Sequence, residues 1–207
     1  LFALNCLPST NPHTLGTTMN LAVLLGSLGR IDEAQAIYSG LLETQTRVLG
    51  PESPDTLMTA MQLAGSLLSQ GKSEAAEGKY RETLEVHERV LGEDHPNTLL
   101  CAMNLGSTLL NQAKYAAAEA VYRDNVRRKR QKLGADHPDT LMTAMNLGSV
   151  LNARGELGAA EDVYGENLAA KTRVLGGEHL DTCYAAMNLV GVWCDMKVLS
   201  LPPPLCL

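Results

Sequence analysis

Three histidines, His95, His137 and His179, stand 42 residues apart, and imidazole is the side chain most ready to bind a metal or move a proton near neutral pH. One metal ion would need their nitrogens at about 2.0–2.1 Å. Equivalent points on neighbouring packed helices are roughly 8–10 Å apart. The three therefore cannot share an ion, and they read as loop-packing or capping residues. The five cysteines, Cys6, Cys101, Cys183, Cys194 and Cys206, include no C-x-x-C pair and are odd in number. They read as reduced thiols of a cytoplasmic protein. No H-E-x-x-H, G-x-x-x-x-G-K-[ST] or G-x-S-x-G string occurs. With no catalytic constellation and no metal or cofactor motif, the chain is expected not to be an enzyme.

Two other groups of residues could recognise a partner. The basic run Arg127-Arg128-Lys129-Arg130-Gln131-Lys132 falls in the last turns of an expected helix, where cations complement the helix dipole. It reads as a solvated helix end, since a net charge of −6 argues against nucleic acid as the main ligand. The second group is a column of amides, Asn20, Gln62, Asn104, Asn146 and Asn188, each 42 residues after the last. An amide offers both donor and acceptor, as a peptide backbone requires. Beside it run Met58, Met61 and Gln62, then Met103, Asn104, Ser107 and Asn111, then Met142, Met145, Asn146 and Ser149. Two readings stay open for the amides: contact with a peptide, or a ladder bonding neighbouring helices. The methionines are either core or a surface that accepts several partners.

The same period runs through the whole chain. Thr14, Thr56, Thr98, Thr140 and Thr182 keep it, as do Leu21, Leu63, Leu105, Leu147 and Leu189. Tyr38, Tyr80, Tyr122 and Tyr164 form one column and Gly50, Gly92, Gly134 and Gly176 another. Residues 53–94 and 137–178 share 21 identities in 42, which is tandem duplication. Each unit predicts two helices. In the unit at 138–176, Ala144, Leu147, Gly148 and Leu151 lie at i, i+3, i+4, i+7 on one helical face. Gly155 breaks the pattern, and a second helix carries Ala160, Tyr164 and Leu168 before Leu175-Gly176 ends it. The first helix (helix A) should be roughly 17 residues, about 25 Å long.

The implied organisation is residues 1–10 as the end of a preceding repeat, then repeats at 11–52, 53–94, 95–136 and 137–178. A partial repeat follows at 179–195 with helix A only, then an irregular Pro-rich tail at 196–207. The chain begins with Leu rather than Met, which predicts a fragment or a processed product. No 18-residue apolar run suggests a membrane span.

Leu147-Gly148, Ala160 and Tyr164 occupy the signature small and aromatic positions of tetratricopeptide repeats, which the chain resembles over about 11–195. The 42-residue period and the Gly134-Ala135-Asp136-His137-Pro138-Asp139-Thr140 linker are similar to the kinesin-light-chain type, which also occurs in large nucleotide-binding signalling ATPases. The resemblance implies an all-α fold, a right-handed superhelical solenoid of tandem helix-turn-helix repeats. It also implies that the A helices line a concave groove binding a peptide or partner helix, with the amide and methionine stripe facing it. Here the A helices are almost uncharged: residues 12–28 and 96–112 carry no charge. The largely basic groove that suits acidic cargo peptides is therefore not expected. The expected function is a non-catalytic protein-interaction module with a protein or peptide ligand, and neither nucleic acid nor membrane as partner. The alternatives are a ligand-sensing regulatory segment of a larger signalling ATPase and a cargo adaptor.

Overall fold

The computed structural model describes residues 11–200. The expected preceding-repeat remnant at 1–10, with Cys6, and the 201–207 part of the tail, with Cys206, lie outside the described residues. Among the described residues there are nine α-helices and no strand: α1 (Pro12–Ser27), α2 (Ile31–Leu49), α3 (Pro54–Ser69), α4 (Ser73–Leu91), α5 (Pro96–Asn111), α6 (Tyr115–Leu133), α7 (Pro138–Ala153), α8 (Leu157–Leu175) and α9 (Leu180–Ser200). The odd-numbered helices are the A helices, the even-numbered ones the B helices. The chain divides into two compact units between Gln112 and Ala113. In the first, α1 to α5 pack each on the next, and α3 also touches α5. In the second, α6 to α9 pack in the same consecutive way.

The helix boundaries follow from local chemistry. Each of α3, α5 and α7 opens with Pro in its first turn, where the missing N–H costs nothing. The residue before that proline caps the helix in two of these three. His95 Nδ1 accepts the Asn97 N–H and His137 Nδ1 the Asp139 N–H, each at 3.2 Å. His179 does the same for Asp181 before α9, at 3.2 Å. The histidine column is thus a set of N-caps, an unusual use of imidazole as the acceptor that Ser or Asp more often supplies. Each B helix ends at a glycine with φ between 90° and 96°, namely Gly50, Gly92, Gly134 and Gly176, a conformation costly for other residues. The threonine six residues on ties that end to the next helix: Thr56, Thr98 and Thr182 donate to the carbonyls of Gly50, Gly92 and Gly176 at 2.8, 2.8 and 2.9 Å.

Within a hairpin the core is aliphatic with one aromatic. In the first, Ala22, Leu25, Ala34 and Tyr38 form a buried cluster with Leu63 of the following helix. The small column lets the tyrosine in. A Cβ on Gly148 would stand 2.6 Å from the Tyr164 ring, whose hydroxyl lies 3.0 Å from Ser149 Oγ. In α3 the same two places are Ala64-Gly65, and there the Tyr80 hydroxyl stands nearest the bare Gly65.

One boundary differs from the sequence reading. Helix α9 runs to Ser200, five residues past the expected end at 195. Met196-Lys197-Val198-Leu199-Ser200 contains no helix breaker, and the first proline of the tail is Pro202.

Candidate partner-binding face of the A helices

Two pockets occupy equivalent places in the two units. The first, about 250 Å³, is lined by Leu15, Met19, Asn20, Gln45, Asp55 and Met58. The second, about 400 Å³, is lined at the positions 126 residues on: Leu141, Met145, Asn146, Lys171, Asp181 and Tyr184, with Met142 beside them. Each lies between one A helix, the end of its B helix and the first turn of the next A helix. The wall of each therefore combines an amide, a thioether and a carboxylate at the same register. They differ chiefly where the neutral Gln45 gives way to Lys171, and Met58 to Tyr184. Lys171 Nζ donates to the Asp181 carbonyl at 3.3 Å.

The amide column is placed as follows. Asn20 and Asn188 are exposed, and Gln62, Asn104 and Asn146 are half-buried. Among the described residues no amide of the column bonds another. Asn188 Nδ2 lies 3.9 Å from Met145 Sδ. Met58, Met103 and Met145 are half-buried and Met142 is 46% exposed. Asn111 is exposed and lies at the end of α5. Ser107 and Ser149 are half-buried and return their hydroxyls to the carbonyls of Met103 and Met145, at 3.2 and 3.1 Å. Met61 departs from the expected surface stripe. It is 5% exposed, a core residue, because α3 is flanked by α2, α4 and α5 and its face has no open side there.

Arg127, Arg130, Gln131 and Lys132 of the basic run are exposed, as at a solvated helix end, while Arg128 is half-buried and Lys129 buried. One helical turn sends its members to different neighbours. Arg127 and Arg128 both pair with Asp124, and Arg130 reaches Glu166 on α8. Lys129 points inward to α7, 5% exposed, with Nζ 2.9 Å from Thr143 Oγ1. Burial pushes its ammonium down from the usual lysine range, and the nearby Asp139 partly offsets this.

Lys129 belongs to a column that the hydrophobic pattern did not reveal. Gln45, His87, Lys129 and Lys171 stand at one register, on the side of each B helix that meets the next A helix. Opposite them, by the same register, stand Thr59, Cys101, Thr143 and Ala185. Thr59 donates to Gln45 Oε1 at 2.6 Å. His87 is 1% exposed and its Nδ1 has no partner, while Cys101 is fully buried and directs its thiol to the Tyr80 carbonyl. Burial pushes the Cys101 thiol up to about 12, out of nucleophile range. The signal was present as a column polar in every copy, but a search for apolar periodicity passes over it.

Among the described residues no group of three or more His, Cys, Asp and Glu side chains is set to hold a metal ion. No described helix is long and apolar enough to cross a membrane. Stacked antiparallel helical pairs of fixed length, with small residues facing a tyrosine, define a helical-repeat scaffold for protein interaction. A family model described as tetratricopeptide repeat matches residues 14–85, 57–131 and 100–172, and the chain belongs to that family. No curated protein matches the chain. Two solved structures of a Podosopora anserina putative kinesin light chain with nearly identical TPR-like repeats are similar at TM-score 0.82 and 19% identity. The match covers 91% of this chain and 89% of that one for the unsubstituted protein, and 90% and 88% for a point variant of it. BtubC (BKLC) from P. vanneervenii is similar at TM-score 0.73 and 26% identity, over 86% of this chain and 71% of that one.

Proposed function

We propose that this chain is a non-catalytic interaction module that docks an extended peptide or a partner helix along its A helices. The observation that carries the reading is the pair of equivalent pockets, each walled by an amide and a methionine of the same columns. Asn20, Gln62, Asn104, Asn146 and Asn188 fix the backbone of the ligand, and Met58, Met103, Met142 and Met145 receive its side chains. Ser107, Ser149 and Asn111 border the path. Met61, being buried, supports it from beneath.

Because this face is nearly uncharged, affinity there rests on apolar burial and amide hydrogen bonds, which salt screens little. A peptide selected against the array serves as the probe, titrated calorimetrically at low and moderate salt. Affinity should change only slightly with salt. Asn104→Ala with Asn146→Ala should weaken it more than Arg127→Ala with Arg130→Ala. A steep salt dependence, or a larger loss from the arginine pair, would overturn the reading in favour of an acidic ligand on the B helices.

A further inference from the structure

A third pocket, of about 290 Å³, lies between the end of α6, the start of α7 and the side of α8. None of the amide or methionine columns lines it, so it is separate from the face proposed above. Helices α6, α7 and α8 are each followed by a packed neighbour, so the end of the described chain does not open it. Two polar side chains in its wall are buried and unmatched. Thr140 and Asn167 are each 1% exposed, and among the described residues neither Thr140 Oγ1 nor Asn167 Oδ1 has a hydrogen-bond partner. Such atoms are rare in folded chains, because leaving one unpaired is costly. At the register of Thr140, Thr56, Thr98 and Thr182 donate to a glycine carbonyl, and Thr140 does not. Asn167 has only its Nδ2 engaged, on the Leu141 carbonyl at 2.6 Å. Around them the wall is apolar and mostly small, with Ala144, Val163, Ala169 and Ala170. At the rim Arg130 pairs with Glu166 at 2.8 Å, and Arg173 pairs with Asp136.

The repeat before it carries the same set with one more member. At the registers of Glu166, Asn167 and Ala170, helix α6 has Asp124, Asn125 and Arg128. The Arg128 side chain is only 18% exposed, and its Nε donates to Asp124. Asp124 also takes Arg127, so that carboxylate holds two arginines, whereas Glu166 holds Arg130 alone. Helix α8 has thus kept the carboxylate and the amide and lost the guanidinium, with alanine in place of the arginine stem.

A guanidinium presents five N–H donors in a planar fork. The groups left over in the pocket, the Glu166 carboxylate, Asn167 Oδ1 and Thr140 Oγ1, all accept. We infer that this pocket receives an arginine side chain of a partner protein, its methylenes against Ala144, Ala169 and Ala170 and its guanidinium on Glu166, Asn167 and Thr140. Both rim arginines are already paired, so there is no spare cation for the α-carboxylate of free arginine. The arginine is therefore one within a chain.

The probe is arginine blocked at both ends, N-acetyl-arginine methylamide, titrated into the full isotope-labelled chain and followed by NMR. The Asn167 side-chain amide and the backbone amides of Ala169 and Ala170 should shift and saturate. The same probe with neutral citrulline in place of arginine should shift them little. Glu166→Gln should weaken binding about fivefold, the contribution of one exposed charge pair. Ala170→Arg copies Arg128, fills the pocket from within and should abolish the shifts, with the rest of the spectrum that of the folded chain. No shift at the solubility limit of the blocked arginine would overturn the inference. So would equal binding of the citrulline probe, an unchanged affinity in Glu166→Gln, or shifts that persist in Ala170→Arg. Free arginine binding more tightly than the blocked form would overturn the partner protein as the source and make the ligand a free amino acid.

Discussion

At the scale of single residues, two buried contacts make firm demands. Gly148 and Ser149 form a matched pair against Tyr164: the glycine yields to the ring, and the serine lies 3.0 Å from its hydroxyl. Gly148→Ala should cost about 1–3 kcal/mol from overpacking. Adding Ser149→Gly recreates the Ala64-Gly65 arrangement and should recover most of the loss, as chemical denaturation of both variants will read. Gly78, in α4 with open space around it, is the control: Gly78→Ala should stabilise by roughly 0.5–1 kcal/mol. The second contact is His87. Burial chiefly, with His95 adding to it, lowers its pKa, while the Thr83 backbone works the other way. The unfolded chain therefore binds the proton more readily than the folded one. Stability is complete above the unfolded value of about 6.5 and falls as pH drops below it toward the folded value. Urea melts at pH 7.5 and 5.5 should show a larger loss for the native chain than for His87→Gln. Equal losses would remove His87 from the account.

At the scale of elements, most of the fold was legible in the sequence. Proline at a helix start, glycine past a helix end and the 3.6-residue apolar face each have a single local cause, and together they located the hairpins. What the pattern missed depends on what lies opposite. Lys129 sits in a run that reads as solvent-exposed, and only the rotation of α6 against α7 turns it inward onto Thr143. Met61 belongs to a surface stripe by register, yet the neighbours of α3 close over it. The extension of α9 was hidden by the loss of repeat columns after 195, since a helix needs no repeat to continue. Local backbone chemistry also exposes one weak joint. Gly29, Gly71 and Gly155 take φ of 77°, 75° and 78° between helices A and B, and Ala113 holds the same place at φ 56°. A left-handed alanine costs about 1–2 kcal/mol. Ala113→Gly should therefore raise the melting temperature, with a net gain of roughly 0.5–1 kcal/mol after the added chain entropy.

At the scale of the whole molecule, repetition creates a hazard that globular folds avoid. Copies this alike can dock in the wrong order, and misassembly between similar modules is a recurrent failure of repeat proteins. The polar column between B and A helices works against that error. Gln45 is matched to Thr59, Lys129 to Thr143 and the Asp139 carbonyl, and Lys171 to the Asp181 carbonyl, while His87 stands at the register of the thiol Cys101. A lysine docked against Cys101 would lose its hydroxyl acceptor in a dry setting, a penalty far larger than a mismatch of two aliphatic residues. The seams thus differ in the polar groups that meet there, although Lys129 and Lys171 share one chemistry. A seam can be rewritten. His87→Lys alone should destabilise strongly, whereas His87→Lys with Cys101→Thr copies the Lys129–Thr143 joint into an earlier seam. A double-mutant cycle should give a favourable coupling above about 1 kcal/mol, within the range measured for contacting polar pairs.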